Sequence, residues 1–222
     1  MRRIHYLEHS RAHRILWLLE ELGLDYDLVM YRRASDMRAP ETLKAIHPLG
    51  KSPVLEEDDG TIVAESGAIT EYLVDRYGAG SGLKPAPGTP AALRYSYWLH
   101  YAEGSAMPLL LQKLLFTLLP GRMPALLRPV ARMISKGALG TLVDPQLKDH
   151  LAFWESELSR DGWFAGPEFT AADIQMSFPV EAGADRAMEG EPTPAIARYL
   201  AAIRARPAYI RAVEKGAYRY AG

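Results

Sequence analysis

The chain contains no cysteine. That excludes a disulfide framework, a zinc site of thiolates and any catalytic thiol of the protein's own. An excess of one charge is lacking too: 26 Lys and Arg stand against 27 Asp and Glu, a formal net charge of −1. No global field therefore favours nucleic acid or an anionic membrane. Long apolar runs are also missing. The richest, Met107 to Leu119, is interrupted by Gln112 and Lys113 and is shorter than the roughly 20 residues a bilayer requires. The opening Met1-Arg2-Arg3-Ile4-His5-Tyr6-Leu7-Glu8 has no long apolar core of a signal peptide. These absences read as a cytoplasmic protein without membrane insertion and without a nucleic-acid partner. With 222 residues, 48% hydrophobic and 24% charged, the chain can bury one large core or two modest ones.

Two halves follow different patterns. In the first, Arg3 to Tyr6 reads as a strand. Arg11 to Leu22 reads as a helix, with Ile15, Leu16, Leu18, Leu19 and Leu22 on its apolar side and Gly23 as a stop. Tyr26 to Tyr31 is a second strand, and Pro40 to Ile46 a short helix. Pro53 to Glu56 and Thr61 to Ala64 flank the turn Asp58-Asp59-Gly60, and Ser66 to Tyr77 closes the unit as a helix. The order βαβ, α, ββ, α makes the first two strands parallel and the last two antiparallel, which is the thioredoxin-like arrangement. Gly78 to Pro90 (GAGSGLKPAPGTP) is a Gly- and Pro-rich linker. Beyond it Ala91 to Leu119, Pro124 to Lys136, Asp144 to Ser159, Ala171 to Gly183, Pro194 to Ala205 and Pro207 to Lys215 all read as helices. The fold class expected is α/β plus all-α, with residues 1–80 as the thioredoxin-like domain and 91–222 as the helical one.

In a thioredoxin-like fold, the first strand delivers the chain to the start of the first helix. Redox proteins place Cys-x-x-Cys there, because the helix dipole and free N–H groups stabilise a thiolate. Here the stretch is Ser10-Arg11-Ala12-His13, so dithiol chemistry is excluded and a borrowed thiol, carried by a ligand, is not. A serine hydroxyl can donate to such a thiolate. Free thiols titrate at about 8.5, and a drop of two units corresponds to about 2.7 kcal/mol, the size of one charge-assisted hydrogen bond with help from the dipole. Ser10 is equally suited to be a plain N-cap, and the two readings share one location. Thr170-Ala171-Ala172-Asp173 reads as a structural capping box.

His9-Ser10-Arg11-Ala12-His13-Arg14-Ile15-Leu16-Trp17-Leu18-Leu19-Glu20-Glu21-Leu22-Gly23 resembles the opening helix of bacterial and fungal cytosolic glutathione S-transferases that carry a catalytic serine. His47-Pro48-Leu49-Gly50-Lys51-Ser52-Pro53-Val54-Leu55 is similar to their loop before the third strand, and Ala64-Glu65-Ser66-Gly67-Ala68-Ile69 to their γ-glutamyl-binding turn. With the linker and the all-helical half, the resemblance covers essentially the whole chain. It implies Ser10 as the catalytic residue, with Tyr6 and His9 as rivals for that role. It implies a cis peptide before Pro53, with the Ser52 backbone pairing with the cysteinyl segment of glutathione. Valine is usual before that proline, so Ser52 departs mildly from the pattern. Ser66 is implied to meet the γ-glutamyl carboxylate and Glu65 the α-amino group; Lys51 and His47 are candidates for the glycine carboxylate, and Arg14 for a bracing role.

The resemblance further implies an apolar acceptor pocket between the domains. Tyr97, Tyr101, Met107, Leu110, Leu111 and Leu114 are its candidate lining, although such residues at helical spacing also describe plain core. From Gly104 to Val143 no acidic residue occurs, while Lys113, Arg122, Arg128, Arg132 and Lys136 do. That segment is read as capping the pocket and favouring anionic acceptors, against the alternative of a solvated face. The implied activity is transfer of glutathione to a hydrophobic electrophile, with glutathione as co-substrate, no metal, and hydroperoxide reduction as a side activity. The rival is a glutathione or hydrophobic-ligand carrier, or a regulatory module of the same fold. A homodimer is also implied, with Tyr72, Asp75 and Arg76 as candidate contacts.

Overall fold

The computed structural model describes residues 1–8, 10–34, 38–188 and 190–218. Strand β1 (Arg3–Leu7) leads to helix α1 (Ala12–Glu21), then β2 (Asp27–Tyr31), the single-turn α2 (Glu41–Lys44), the hairpin β3 (Val54–Glu56) and β4 (Ile62–Ala64), and α3 (Ser66–Tyr77). The sheet order is β2-β1-β3-β4. β1 runs parallel to β2, pairing Ile4 with Leu28. It runs antiparallel to β3, pairing Ile4 with Leu55, and β3 is antiparallel to β4. This is a thioredoxin-like domain, and an all-helical domain follows it.

The linker is anchored. Leu83 is buried and its carbonyl accepts the Ala171 N–H at 2.9 Å, so a polar-looking tether carries one apolar plug into the helical core. The helix expected from Ala91 to Leu119 is interrupted. α4 (Pro90–Tyr101) passes through a π turn (Ala102–Ala106) into α5 (Met107–Arg122). π turns inside helices concentrate at functional sites, because the extra residue re-aims a side chain; here that residue set includes Glu103. After a 3₁₀ turn (Ala125–Leu127) come α6 (Arg128–Ala138), a second π turn (Leu139–Val143), α7 (Asp144–Asp161), α8 (Ala171–Arg186), α9 (Pro194–Arg204) and α10 (Pro207–Gly216). Among the described residues no helix is long and apolar enough to cross a membrane.

α1 is the axis of the molecule. Every residue from Ala12 to Glu20 is buried, because the sheet and α3 cover one side while α8 and α10 cover the other. Trp17 meets Tyr209 of α10 edge-on, centroids 5.0 Å apart. A helix enclosed on all sides buries its polar residues as well, and Arg14 and His13 are therefore inside.

The Thr170–Asp173 capping box is present at the start of α8. The Asp173 carboxylate accepts the Thr170 N–H at 2.8 Å and the Thr170 hydroxyl at 3.1 Å, and the Phe164 N–H at 2.9 Å. One side chain thus ties the helix start to the preceding loop. Asp173→Asn, which keeps the shape but turns one acceptor oxygen into a donor, is expected to cost about 2 kcal/mol in urea unfolding. A loss below about 0.5 kcal/mol would show that the box contributes little.

Candidate functional site

Ser10 stands immediately before α1. Its Oγ accepts the Ala12 N–H at 3.2 Å, so it does satisfy a free helix-start donor, as a cap would. It also lies 3.5 Å from Ser52 Oγ. Ser52 donates its own proton to the His5 carbonyl at 2.8 Å while accepting the Leu7 N–H at 3.0 Å. The contact must therefore run from the Ser10 O–H to Ser52, over a distance at the edge of hydrogen bonding. The Ser10 proton is weakly held and able to turn toward an anionic guest.

Two cavities adjoin at this point. The larger, about 680 Å³, takes in Ser10, Arg11, Lys51, Ser52 and Phe178 and extends to Arg33, Arg38 and Lys44. The smaller, about 210 Å³, takes in Arg11, His47, Lys51, Ser52, Pro53, Glu65, Ser66 and Glu103. Arg11, Leu49, Lys51 and Ser52 border both. The sequence-expected set of Ser10, His47, Lys51, Ser52, Pro53, Glu65 and Ser66 is thus gathered around one divided cleft. The Ser52–Pro53 peptide is cis. Cations dominate the larger compartment: Arg11, Arg33, Arg38, Lys44 and Lys51 line it with Glu41 as the one carboxylate among the described lining residues, and Glu41 is paired with Lys44 at 2.6 Å.

Glu65 occupies φ +74°, a left-handed conformation that costs a non-glycine residue on the order of 1 kcal/mol. It turns the chain sharply into α3. Ser66 opens that helix, buried, and its hydroxyl accepts from Gln175 Nε2 at 3.1 Å and from Arg14 at 3.5 Å. Two donors already on the oxygen leave its own proton to be given outward.

Two residues here carry no local signal in the sequence. Glu103, on the π turn, reaches from the helical domain to bind both Arg11, at 2.9 Å, and the buried Arg14. Burial works against its ionisation, but Arg14 and Arg11 outweigh it and hold the carboxyl below the usual range. Arg11 is thereby fixed beside Ser10 with its charge facing the cleft. A contact across 92 positions has no periodic signature; the only hint was an acid standing directly before the acid-free stretch that begins at Gly104.

The other expected site residues lie elsewhere. Tyr6 is buried with its hydroxyl against α10, where a Cβ on Gly216 would meet it at 3.0 Å, and burial pushes that phenol well up. It borders neither cavity. His9 lies outside the described residues. Of the candidate acceptor residues, Tyr101 bonds His150 and the Trp154 indole N–H, Tyr97 stacks on Tyr101, Met107 and Leu110 are in the core, and Leu111 is exposed while Leu114 is half-buried. None of these six borders the cleft at Ser10, and neither do Arg128, Arg132 and Lys136, which are exposed on α6. In α3, Tyr72 packs edge-on to Tyr77 with Arg76 over both rings, and Asp75 pairs with Lys84.

Residues 10–76 match the family model for the glutathione S-transferase N-terminal domain, and residues 118–207 that for the C-terminal domain. Over 221 residues the chain is 35% identical to glutathione S-transferase 1 of Saccharomyces cerevisiae, covering 96% of this chain and 94% of that one. It is 36% identical over 213 residues to glutathione S-transferase 3 of Schizosaccharomyces pombe, covering 96% and 86%. The crystal structure of a glutathione S-transferase from Actinobacillus pleuropneumoniae superposes with a TM-score of 0.78 at 36% identity, over 98% of this chain and 93% of that one. With both family models matched in order and relatives above 30% identity over nearly the whole chain, the chain belongs to the glutathione S-transferase family.

Proposed function

We propose that this protein, a glutathione transferase, binds glutathione in the cleft between Ser10 and Ser66, holds it as thiolate through the Ser10 hydroxyl, and transfers it to a hydrophobic electrophile in the cytoplasm. Residues 1–80 act as the glutathione-binding unit and residues 91–222 as the unit that carries the acceptor site. The observation that carries this reading is the convergence of Ser10, the Ser52–Pro53 loop and the Glu65–Ser66 helix start on the two adjoining cavities.

The tripeptide has two carboxylates and one amine, and the cleft offers matching groups. Ser66, at the N-terminus of α3, meets the γ-glutamyl carboxylate with its hydroxyl and backbone N–H. Glu65 takes the α-amino group. Lys51 and His47 meet the glycine carboxylate, and the Ser52 backbone pairs with the cysteinyl segment. The thiol then lies at Ser10, where the start of α1 and the nearby guanidinium of Arg11 favour the anion. Attack by sulfur on an electrophile needs a lowered thiol pKa, proximity and an apolar surface for the acceptor. Phe178, on the cleft wall with Ser10, supplies such a surface, and the helical domain supplies the remainder of the acceptor site. The same thiolate can attack the oxygen of an organic hydroperoxide, and the protein acts as a homodimer through α3.

The ultraviolet thiolate absorbance of bound glutathione, followed against pH, tests the assignment. Wild type is expected to bring the bound thiol well below the free value of about 8.5, and Ser10→Ala to return it upward by about one unit. Binding with an unshifted thiol would favour a carrier over an enzyme. A shift that survives Ser10→Ala would move the donor role to Arg11, His9 or backbone.

A further inference from the structure

We propose that Gln175, in the helical domain, is a positioning residue for glutathione: its side-chain amide turns the Ser66 hydroxyl proton into the cleft, toward the γ-glutamyl carboxylate. The proposal rests on the reading that Ser66 receives that carboxylate.

A glutamine is seldom sealed in a core, because its amide must find partners there or forfeit its hydration. Gln175 is 0% exposed. α8 buries every residue from Ala171 to Ser177, so a polar residue in this stretch has no solvent side to take. The amide Nε2 donates to Ser66 Oγ at 3.1 Å. A Cβ on Gly67 would stand 4.0 Å from the same nitrogen, so the amide lies against the first turn of α3. The backbone is held at this point too, since the Gln175 carbonyl accepts from the buried Arg14 at 2.7 Å. Gln175 and Ser66 are 109 positions apart, and neither domain forms the contact alone.

The consequence lies in the lone pairs of the Ser66 oxygen. A hydroxyl has two acceptor sites and one proton. Gln175 takes one site, and Arg14 reaches the other at 3.5 Å. With both occupied from within the protein, the proton points into the smaller cavity, which Ser66 lines. A carboxylate arriving at the start of α3 then meets an O–H already aimed at it, beside the helix-start N–H groups. The other end of the amide shows what the orientation costs. Gln175 Oε1 is buried with no hydrogen-bond partner among the described residues. Turning the amide over would bring Oε1 to Ser66 as an acceptor and draw the hydroxyl proton inward. The fold keeps an unpaired oxygen, and the orientation it keeps is the one a carboxylate ligand needs.

Titration calorimetry tests this with glutathione and with its analogue lacking only the γ-glutamyl α-carboxylate. Wild type is expected to bind glutathione about a hundredfold more tightly than the analogue. Gln175→Met keeps the side chain's length without its amide, and should lose about tenfold for glutathione but less than about twofold for the analogue. Its bound glutathione thiol should titrate as in wild type, because the change lies at the other end of the tripeptide. Gln175→Glu puts an acceptor on Ser66 with a negative charge behind it, and should lose more for glutathione than Gln175→Met while sparing the analogue. Unchanged circular dichroism would show that both variants are folded. Wild type that binds the two ligands alike would mean that Ser66 does not receive the carboxylate, and the reading beneath the proposal would fall together with it. Wild type that discriminates, with variants that discriminate equally well or lose both ligands equally, would overturn the role of Gln175 alone and leave it as domain packing.

Discussion

Replacing Arg14 by methionine is expected to lower stability by about 3 kcal/mol and to weaken glutathione binding about tenfold. The arginine side chain is 1% exposed and lies at the join of both domains. It donates to the Gln175 carbonyl in α8 at 2.7 Å and to Ser66 at the start of α3. It pairs with Glu103 on the π turn, and its guanidinium lies 5.8 Å from the centre of the Phe178 ring. Removing one partner of a buried ion pair costs roughly 3–5 kcal/mol, because the other charge is left without compensation. The lower end applies, since Glu103 is one-third exposed and keeps Arg11. The binding loss follows from geometry: Ser66 and Glu103 both border the smaller cavity, and Arg14 fixes each of them. Arg14→Lys keeps the charge without the planar fork and should fall between wild type and Arg14→Met in both respects. Urea unfolding and titration calorimetry with glutathione measure the two effects. A stability loss below about 1 kcal/mol with unchanged affinity would mean that the domains and the cleft are held by packing alone.

Much of this arrangement was legible in the sequence because its signals are local. The strand and helix order of the first half, the Asp58-Asp59-Gly60 turn, the Gly- and Pro-rich linker and the Thr170–Asp173 box each depend on residues a few positions apart, and so does the helix-start serine at Ser10. What was not legible depends on distant partners. The run from Ala91 to Leu119 has the spacing of a single helix, and nothing in it marks the π turn that aims Glu103 at Arg11. The orientation of α6 is a second case. Its periodicity shows an apolar row and a basic row, but which row faces the domain is set by how α5 packs against it, and the small residues Ala131 and Ser135 form the buried edge instead. A third case is His13, which stands where a redox relative would carry its second cysteine, yet serves the opposite face of α1.

That histidine should make the protein acid-sensitive in a way one substitution removes. Its ring is stacked on Tyr218 with centroids 3.8 Å apart and meets Tyr209 edge-on at 5.2 Å. Neither ring nitrogen has a hydrogen-bond partner among the described residues. Burial, aided by the charge of Arg14, pulls its pKa down to about 3 from the ordinary 6.5. Below pH 6.5 the unfolded chain therefore holds a proton that the folded chain refuses, and stability falls as pH falls through that window to about 3. At pH 4.5 the penalty is about 2.7 kcal/mol, two units at 1.36 kcal/mol each. Asp173 acts with the opposite sign: burial pushes its carboxyl up to about 6, so the fold takes up that proton first and gains as pH drops from about 6 to 4. Wild type alone would show only the sum. The comparison that isolates His13 is wild type against His13→Phe, which keeps a flat ring between Tyr218 and Tyr209 and cannot be protonated. The two should agree within about 1 kcal/mol at pH 7, where the imidazole is neutral in both states, and His13→Phe should be more stable by about 2–3 kcal/mol at pH 4.5. Stability curves that stay parallel from pH 7 to 4.5 would mean that the ring reaches water or a proton acceptor when it is charged, and that the closing contact of the C-terminal segment on α1 opens in acid at little cost.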